Sequence, residues 1–188
     1  LVQQAQVAPD DSVLVVGCGG VGLSAVMIAV ASGARVVGVD VDPDALQRAT
    51  ALGAVATVDV RGLSASLADE AVADAAPGFR IAVDATGRPD AIDLSLRTLR
   101  PRGIHVQIGL VSADPVLRVS RIISKELAFV GSHGMAARSY PGLLALVASG
   151  RLRPQDLVST WIGLADVPSA MAAMRDGTAP AGVTMIRP

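Results

Sequence analysis

Residues 13–22 read Val13-Leu14-Val15-Val16-Gly17-Cys18-Gly19-Gly20-Val21-Gly22. The four consecutive apolar residues, bounded by Asp10-Asp11 and Gly17, predict a strand buried on both faces. From Gly20 to Ser32 the chain is rich in small apolar residues over a helical length, which predicts a helix. The glycines at the junction have separate uses. Gly17 permits the tight turn, Gly19 leaves room for the backbone to approach a pyrophosphate, and Gly22 lets the helix pack close to the strand. The free N–H groups at the helix start then face an anion, helped by the helix dipole. The pattern predicts a dinucleotide site. The bland alternative is a tight glycine turn in an α/β protein that binds nothing.

The same alternation continues outward along the chain. Val36-Val37-Gly38-Val39 predicts a second buried strand, and Asp42 caps a helix that has Pro43 in its first turn and stops at Gly53. Val55 to Val58 is a third strand, Ser64 to Ala75 a polar-faced helix, and Ile81 to Val83 a fourth strand ended by Asp84-Ala85-Thr86-Gly87. A helix from Pro89 to Leu99, closed by Pro101 and Gly103, leads to a fifth strand at Ile104 to Ile108 and a sixth at Leu127 to Val130. Six strands with interleaved helices predict an α/β chain with a doubly wound parallel sheet. The sixth strand is expected at a sheet edge, where another copy of the chain can pair. After Gly131 the rhythm changes: a helix from Tyr140 to Ser149, an extended stretch at Val158 to Trp161, a helix near Val167 to Arg175 and a short strand at Val183 to Ile186. No strand–helix crossover is expected in this tail.

Asp40 ends the second strand. A carboxylate there can accept hydrogen bonds from both hydroxyls of an adenosine ribose, and it would repel a 2′-phosphate. Asp42 and Asp44 add negative charge nearby and also suit helix capping, and no arginine directly follows Asp40. These features favour NAD over NADP. A methyltransferase using S-adenosylmethionine can carry a glycine loop and this acid, but the full six-residue pattern and the six-strand rhythm argue against it. A stand-alone dinucleotide-binding module that senses redox state is a further alternative. Cys18 is the only cysteine, so it has no disulfide partner and no cysteine cluster for zinc; it reads as a small residue in a turn. His105 lies within a buried strand and reads as a satisfied core residue. His133 reads as a loop residue, at the end of the sheet where ligands bind.

Composition narrows the class further. The chain has 188 residues, 51% hydrophobic and 18% charged, which argues against disorder and is long enough for a substantial core. A formal net charge of −1 removes the electrostatic case for nucleic-acid binding, and the even spread of charge leaves no polybasic membrane patch. Two Phe, one Trp and one Tyr leave little surface for stacking on bases or sugars. Val21 to Ala31, the longest apolar stretch, is too short to span a bilayer, and the N-terminus lacks the basic region of a signal peptide. The expectation is a soluble cytoplasmic protein.

On residues 13–22, on Gly33-Ala34-Arg35-Val36-Val37-Gly38-Val39-Asp40, and on Ala51-Leu52-Gly53-Ala54, Val83-Asp84-Ala85-Thr86-Gly87, Gly103 to Leu110 and Val130-Gly131-Ser132, the chain resembles the coenzyme-binding domain of the medium-chain dehydrogenases/reductases, the zinc-containing alcohol dehydrogenase superfamily. The resemblance covers nearly the whole chain. It implies a Rossmann domain over residues 1–135 and, over 136–188, the return segment of a catalytic domain whose N-terminal half is absent. It implies a cofactor-binding turn that starts at Gly17, a pyrophosphate on Gly19, Gly20, Val21 and Gly22, and an adenosine ribose on Asp40. Ala85, Thr86 and Arg88 would line the adenine-to-ribose side, and Ile108, Gly109 and Leu110 would meet the nicotinamide half. The backbone of Val130 and Ser132 would reach the carboxamide. It further implies NAD as cofactor, an alcohol or carbonyl substrate, zinc only in the absent half, a homodimer through the sixth strand, and no turnover by this chain alone. The tail's apolar Trp161, Ile162 and Leu164 are then expected to be exposed or repacked. The sequence departs from the family pattern at two places: Ala45 stands where a basic residue often follows the acid, and Val183 and Thr184 stand where one often meets the phosphates.

Overall fold

The computed structural model describes residues 2–188. Six strands form one parallel sheet: β1 (Ser12–Val16), β2 (Arg35–Asp40), β3 (Ala56–Asp59), β4 (Phe79–Asp84), β5 (Leu99–Gln107) and β6 (Ala128–Gly131). Their spatial order is β3-β2-β1-β4-β5-β6, the doubly wound arrangement expected from the strand–helix alternation, and β6 lies at an edge. Parallel strands need crossovers, and those crossovers cover both faces. On one face α1 (Gly20–Ala31) and α2 (Pro43–Ala51) pack with Val13, Val15, Ile81 and Val83; on the other, α3 (Ala65–Ala75) and α4 (Pro89–Thr98) pack with Leu14, Val16 and Ala82. Burial on both faces is why β1 reads as a continuous apolar run rather than an alternating one.

Three features differ from the sequence expectation. A short helix, α5 (Val119–Ser124), lies between β5 and β6; its exposed Val119 and Ile123 give it no amphipathic signal. The strand β5 begins at Leu99, directly after α4, and runs through Pro101 and Gly103. Lys125, the only lysine, ties this junction: its ammonium donates to the carbonyl of Arg97 (2.9 Å) in the last turn of α4, which the ending helix leaves free, and to that of Leu99 (2.7 Å) at the start of β5. Finally, the tail does contain a crossover. After α6 (Tyr140–Ala148), β7 (Val158–Gly163) and β8 (Val183–Arg187) pair in parallel, joined by α7 (Val167–Arg175). Both strands are partly exposed and β7 carries Ser159 and Thr160, so neither shows the buried-strand pattern.

The tail is anchored to the first face of the sheet. Leu143, Leu146 and Val147 of α6, with buried Leu152 and Leu157, join the core beneath α1. The Arg48 guanidinium on α2 donates to the carbonyls of Leu157 (2.8 Å) and Asp156 (3.1 Å). Beyond this anchor Trp161 and Leu164 are 51% and 63% exposed, while Ile162 is half-buried. Among the described residues no helix is long and apolar enough to cross a membrane.

Candidate dinucleotide site

Sheet register builds the site. Pairing aligns Val39, Val16, Asp84, Gln107 and Gly131 in one row across β2, β1, β4, β5 and β6. The next residue on each strand is Gly17, Asp40, Ala85, Ile108 or Ser132. Five of the residues singled out in the sequence therefore leave the sheet side by side at its carboxyl edge, where α/β sheets present their ligands. Backbone bonds hold them there: Gly17 N donates to Val39 O (2.8 Å), Ala85 N to Val16 O (2.9 Å), Ile108 N and Gly109 N to Asp84 O (both 2.9 Å), and Ser132 N to Gln107 O (2.9 Å).

Two glycines of the first turn, Gly17 and Gly22, are required by contact. Gly17 has φ +88°, a conformation glycine adopts without strain, and a Cβ there would lie 2.4 Å from the Thr86 methyl. A Cβ on Gly22 would lie 1.7 Å from Gly17 O, so α1 can pack this closely only without one. Gly19 differs: a Cβ there meets nothing within 4 Å. The α1 ladder begins with Leu23 N on Gly19 O (2.8 Å), so the amides of Gly20, Val21 and Gly22 precede it. Gly19 and Val21 are exposed, and the first turn of α1 carries no acidic residue. An open, amide-lined helix start without a nearby carboxylate on the helix suits an anion.

Asp40 stands one strand away. Its Oδ1 accepts from the amides of Val41 (2.7 Å) and Asp42 (3.0 Å), and its Oδ2 from Cys18 N. These bonds aim the carboxylate and fasten it to the glycine turn. They occupy three of about four lone-pair positions, leaving one on Oδ2 for an incoming hydroxyl. A grip on two hydroxyls requires Asp40 to share or release a backbone bond. Cys18 points away from the turn into the core, its Sγ 3.8 Å from Val39 O; burial first, and the Asp40 charge second, push its thiol up to about 12. That thiol is unreactive at neutral pH.

Gly17, Asp40, Thr86 and Arg88 line one cleft of about 370 Å³, floored by Val16, Val39 and Ala68. Arg88 lies at its mouth, paired with Asp90 at 3.1 Å. Ile108, Gly109 and Leu110 lie outside this cleft, beyond the turn of β4. The two turns touch: a Cβ on Gly87 would lie 2.0 Å from Leu110 O, and one on Gly109 2.2 Å from Gly87 N. Ala45 is buried in the core and contributes nothing to the site, and the Val183 side chain lies near Gly20. His133 is an exposed loop residue after β6.

Sequence reasoning missed the group beneath the cleft. Asp84 is fully buried and accepts from Thr86 N (3.1 Å), Thr86 Oγ1 (2.7 Å), Gly87 N (2.9 Å) and Gln107 Nε2 (2.6 Å). Gln107 in turn meets His105 Nε2 at 3.0 Å. The available signal was the period of β5: His105 and Gln107 alternate with Ile104 and Val106, placing two polar side chains on one buried face. His105 is only half satisfied, because its Nδ1 is buried without a partner. Among the described residues no cluster of three or more His, Cys, Asp and Glu side chains could hold a metal ion.

Comparison with known proteins agrees with this fold. Residues 20–149 match the family described as zinc-binding dehydrogenase. A probable D-xylulose reductase A of Neosartorya fischeri is 31% identical over 181 residues, covering 94% of this chain and 51% of that protein. The D-xylulose reductase A of Aspergillus oryzae is 30% identical with the same coverage. The solved structure of alcohol dehydrogenase TADH from Thermus sp. ATN1 superposes with a TM-score of 0.83 at 28% identity, covering 99% of this chain and 54% of that one. The chain thus spans about half the length of the curated relatives it matches. With its parallel sheet, its glycine turn and this family match over most of its length, the chain belongs to the zinc-binding dehydrogenases, as a coenzyme-binding Rossmann domain.

Proposed function

We propose that the chain binds NAD and is the coenzyme-binding half of a dehydrogenase that interconverts an alcohol or polyol with its carbonyl compound. The observation that carries this is the pairing of an amide-lined helix start, open at Gly19 and Val21, with the Asp40 carboxylate one strand away. The amides of Gly19, Gly20, Val21 and Gly22 hold the pyrophosphate, and Asp40 accepts from the adenosine ribose. The cleft beside Ala85, Thr86 and Arg88 takes the adenosine. Ile108, Gly109 and Leu110 receive the nicotinamide half, with the backbone of Val130 and Ser132 toward its carboxamide. Bound NAD supplies the hydride acceptor. The chain's own residues bind and orient it, keep its diphosphate against fixed amides and bury the adenosine side against Val16 and Val39.

Residues 136–188 serve as the return segment of a catalytic domain whose other half supplies the substrate groups and any zinc ligands. The chain alone binds NAD and oxidises no alcohol. The unpaired edge of β6, with Phe129 partly exposed on it, pairs two copies into a dimer. The protein works in the cytoplasm.

Calorimetric titration with NAD, NADP and S-adenosylmethionine tests the reading. NAD is expected to bind tightest, and Asp40→Ala to weaken NAD by about tenfold, the loss of one charge-assisted hydrogen bond, while weakening NADP less. Tighter binding of NADP than of NAD by the unaltered chain refutes the role of Asp40.

A further inference from the structure

The polar chain under the cleft has a fixed direction. All four bonds to Asp84 come from donors, so the Gln107 group facing it at 2.6 Å is the amide nitrogen. The second hydrogen of that nitrogen goes to Gly109 O at 2.8 Å. Oε1 of Gln107 is left facing His105 Nε2 at 3.0 Å, and a carbonyl oxygen can only accept. His105 Nε2 therefore donates, and the bare Nδ1 is the buried atom without a partner. The imidazole sits in the sheet with its ring 4.4 Å from that of Phe129, its register partner on β6. Burial lowers the pKa of His105 below the ordinary value, in keeping with a neutral ring.

Gln107 consequently links two turns through one side chain: Asp84, the last residue of β4, holds the Thr86–Gly87 turn that follows it, and Gly109 O belongs to the turn that follows β5. We propose that Gln107, held in orientation by His105, is a positioning residue that sets the Ile108–Gly109–Leu110 turn for the nicotinamide half of the dinucleotide. The inference rests on the NAD reading above. It adds that the two halves of the cofactor depend on separate residues: the adenosine half on Asp40, the nicotinamide half on the Gln107–His105 pair.

The test titrates the full chain and its variants Gln107→Leu, His105→Phe and His105→Gln with NADH and with ADP-ribose, which lacks the nicotinamide. Gln107→Leu is expected to weaken NADH about tenfold, the loss when the freed turn holds its binding geometry about one tenth of the time, and to leave ADP-ribose within about twofold. His105→Phe, which leaves Gln107 Oε1 without a donor, is expected to act the same way, and His105→Gln, which restores an N–H donor, to recover binding. An equal loss for both ligands, or no loss for NADH, overturns the proposal while the dinucleotide reading stands. Failure of the unaltered chain to bind either ligand removes the NAD reading itself. Should the variants not fold, the ¹⁵N imidazole signals of the unaltered chain decide: an Nε2–H tautomer at neutral pH supports the arrangement, and an Nδ1–H tautomer or a charged ring overturns it.

Discussion

Two glycines of the first turn, three positions apart, should fail in opposite ways when each is changed to alanine. At Gly22 the new methyl carbon would lie 1.7 Å from Gly17 O and 2.8 Å from Gly17 C, both backbone atoms of a turn that cannot rotate away. Relief needs α1 to retreat from β1 by roughly 1.5 Å, about the shortfall from ordinary carbon–oxygen contact. Overpacking of this kind costs about 1–3 kcal/mol, which in a domain of this size lowers Tm by roughly 2–12 °C. At Gly19 the methyl meets nothing within 4 Å, and the backbone, at φ −71° and ψ −167°, is one alanine adopts freely. Gly19→Ala should therefore leave Tm within about 1 °C, since unstrained surface changes cost little. The methyl nonetheless occupies the space through which a diphosphate reaches the amides. Losing one such charge-assisted bond weakens NAD by about 10- to 100-fold. Thermal unfolding by circular dichroism and calorimetric NAD titration on both variants separate the two effects. A Gly19→Ala chain that binds NAD as well as the unaltered chain refutes the anion site at the helix start. A Gly22→Ala chain of unchanged Tm refutes the close approach of helix and strand.

Two further outcomes follow from the interior. His105 is held below its ordinary value of 6.5 chiefly by burial, with the Gln107 hydrogen bond and the Asp84 charge opposing. A histidine whose folded value is depressed contributes stability that is complete above 6.5 and is lost as pH falls through the lowered value. Urea midpoints should thus decline below neutral pH, and His105→Gln should flatten that decline; an unchanged slope counts against it. The Arg48 bonds to Leu157 and Asp156 should hold β7, α7 and β8 to the sheet. Arg48→Met is expected to cost about 1–2 kcal/mol and to speed hydrogen exchange in residues 158–187 but not in β1, and uniform exchange would refute the tether.

The strand–helix order, the glycine turn and Asp40 were legible in the sequence because each is a local demand. A strand buried on both faces must be a continuous apolar run, and a turn that admits no Cβ must be glycine, whatever lies around it. The tail was less legible. Its strands β7 and β8 are partly exposed, so neither carries a periodic signal, and their parallel pairing depends on α7 returning the chain to the same side. The Asp84–Gln107–His105 chain was hidden for another reason. Its members lie on two strands, and only register puts them together: β4 and β5 align Asp84 with Gln107 and Ala82 with His105. Sequence alone thus determined where the glycine turn and the strand-ending acid stand, because backbone sterics and the apolar pattern act within a few residues. Tertiary structure alone decided which buried polar groups share hydrogen bonds, because their partners are set by strand order and register across 23 positions of chain.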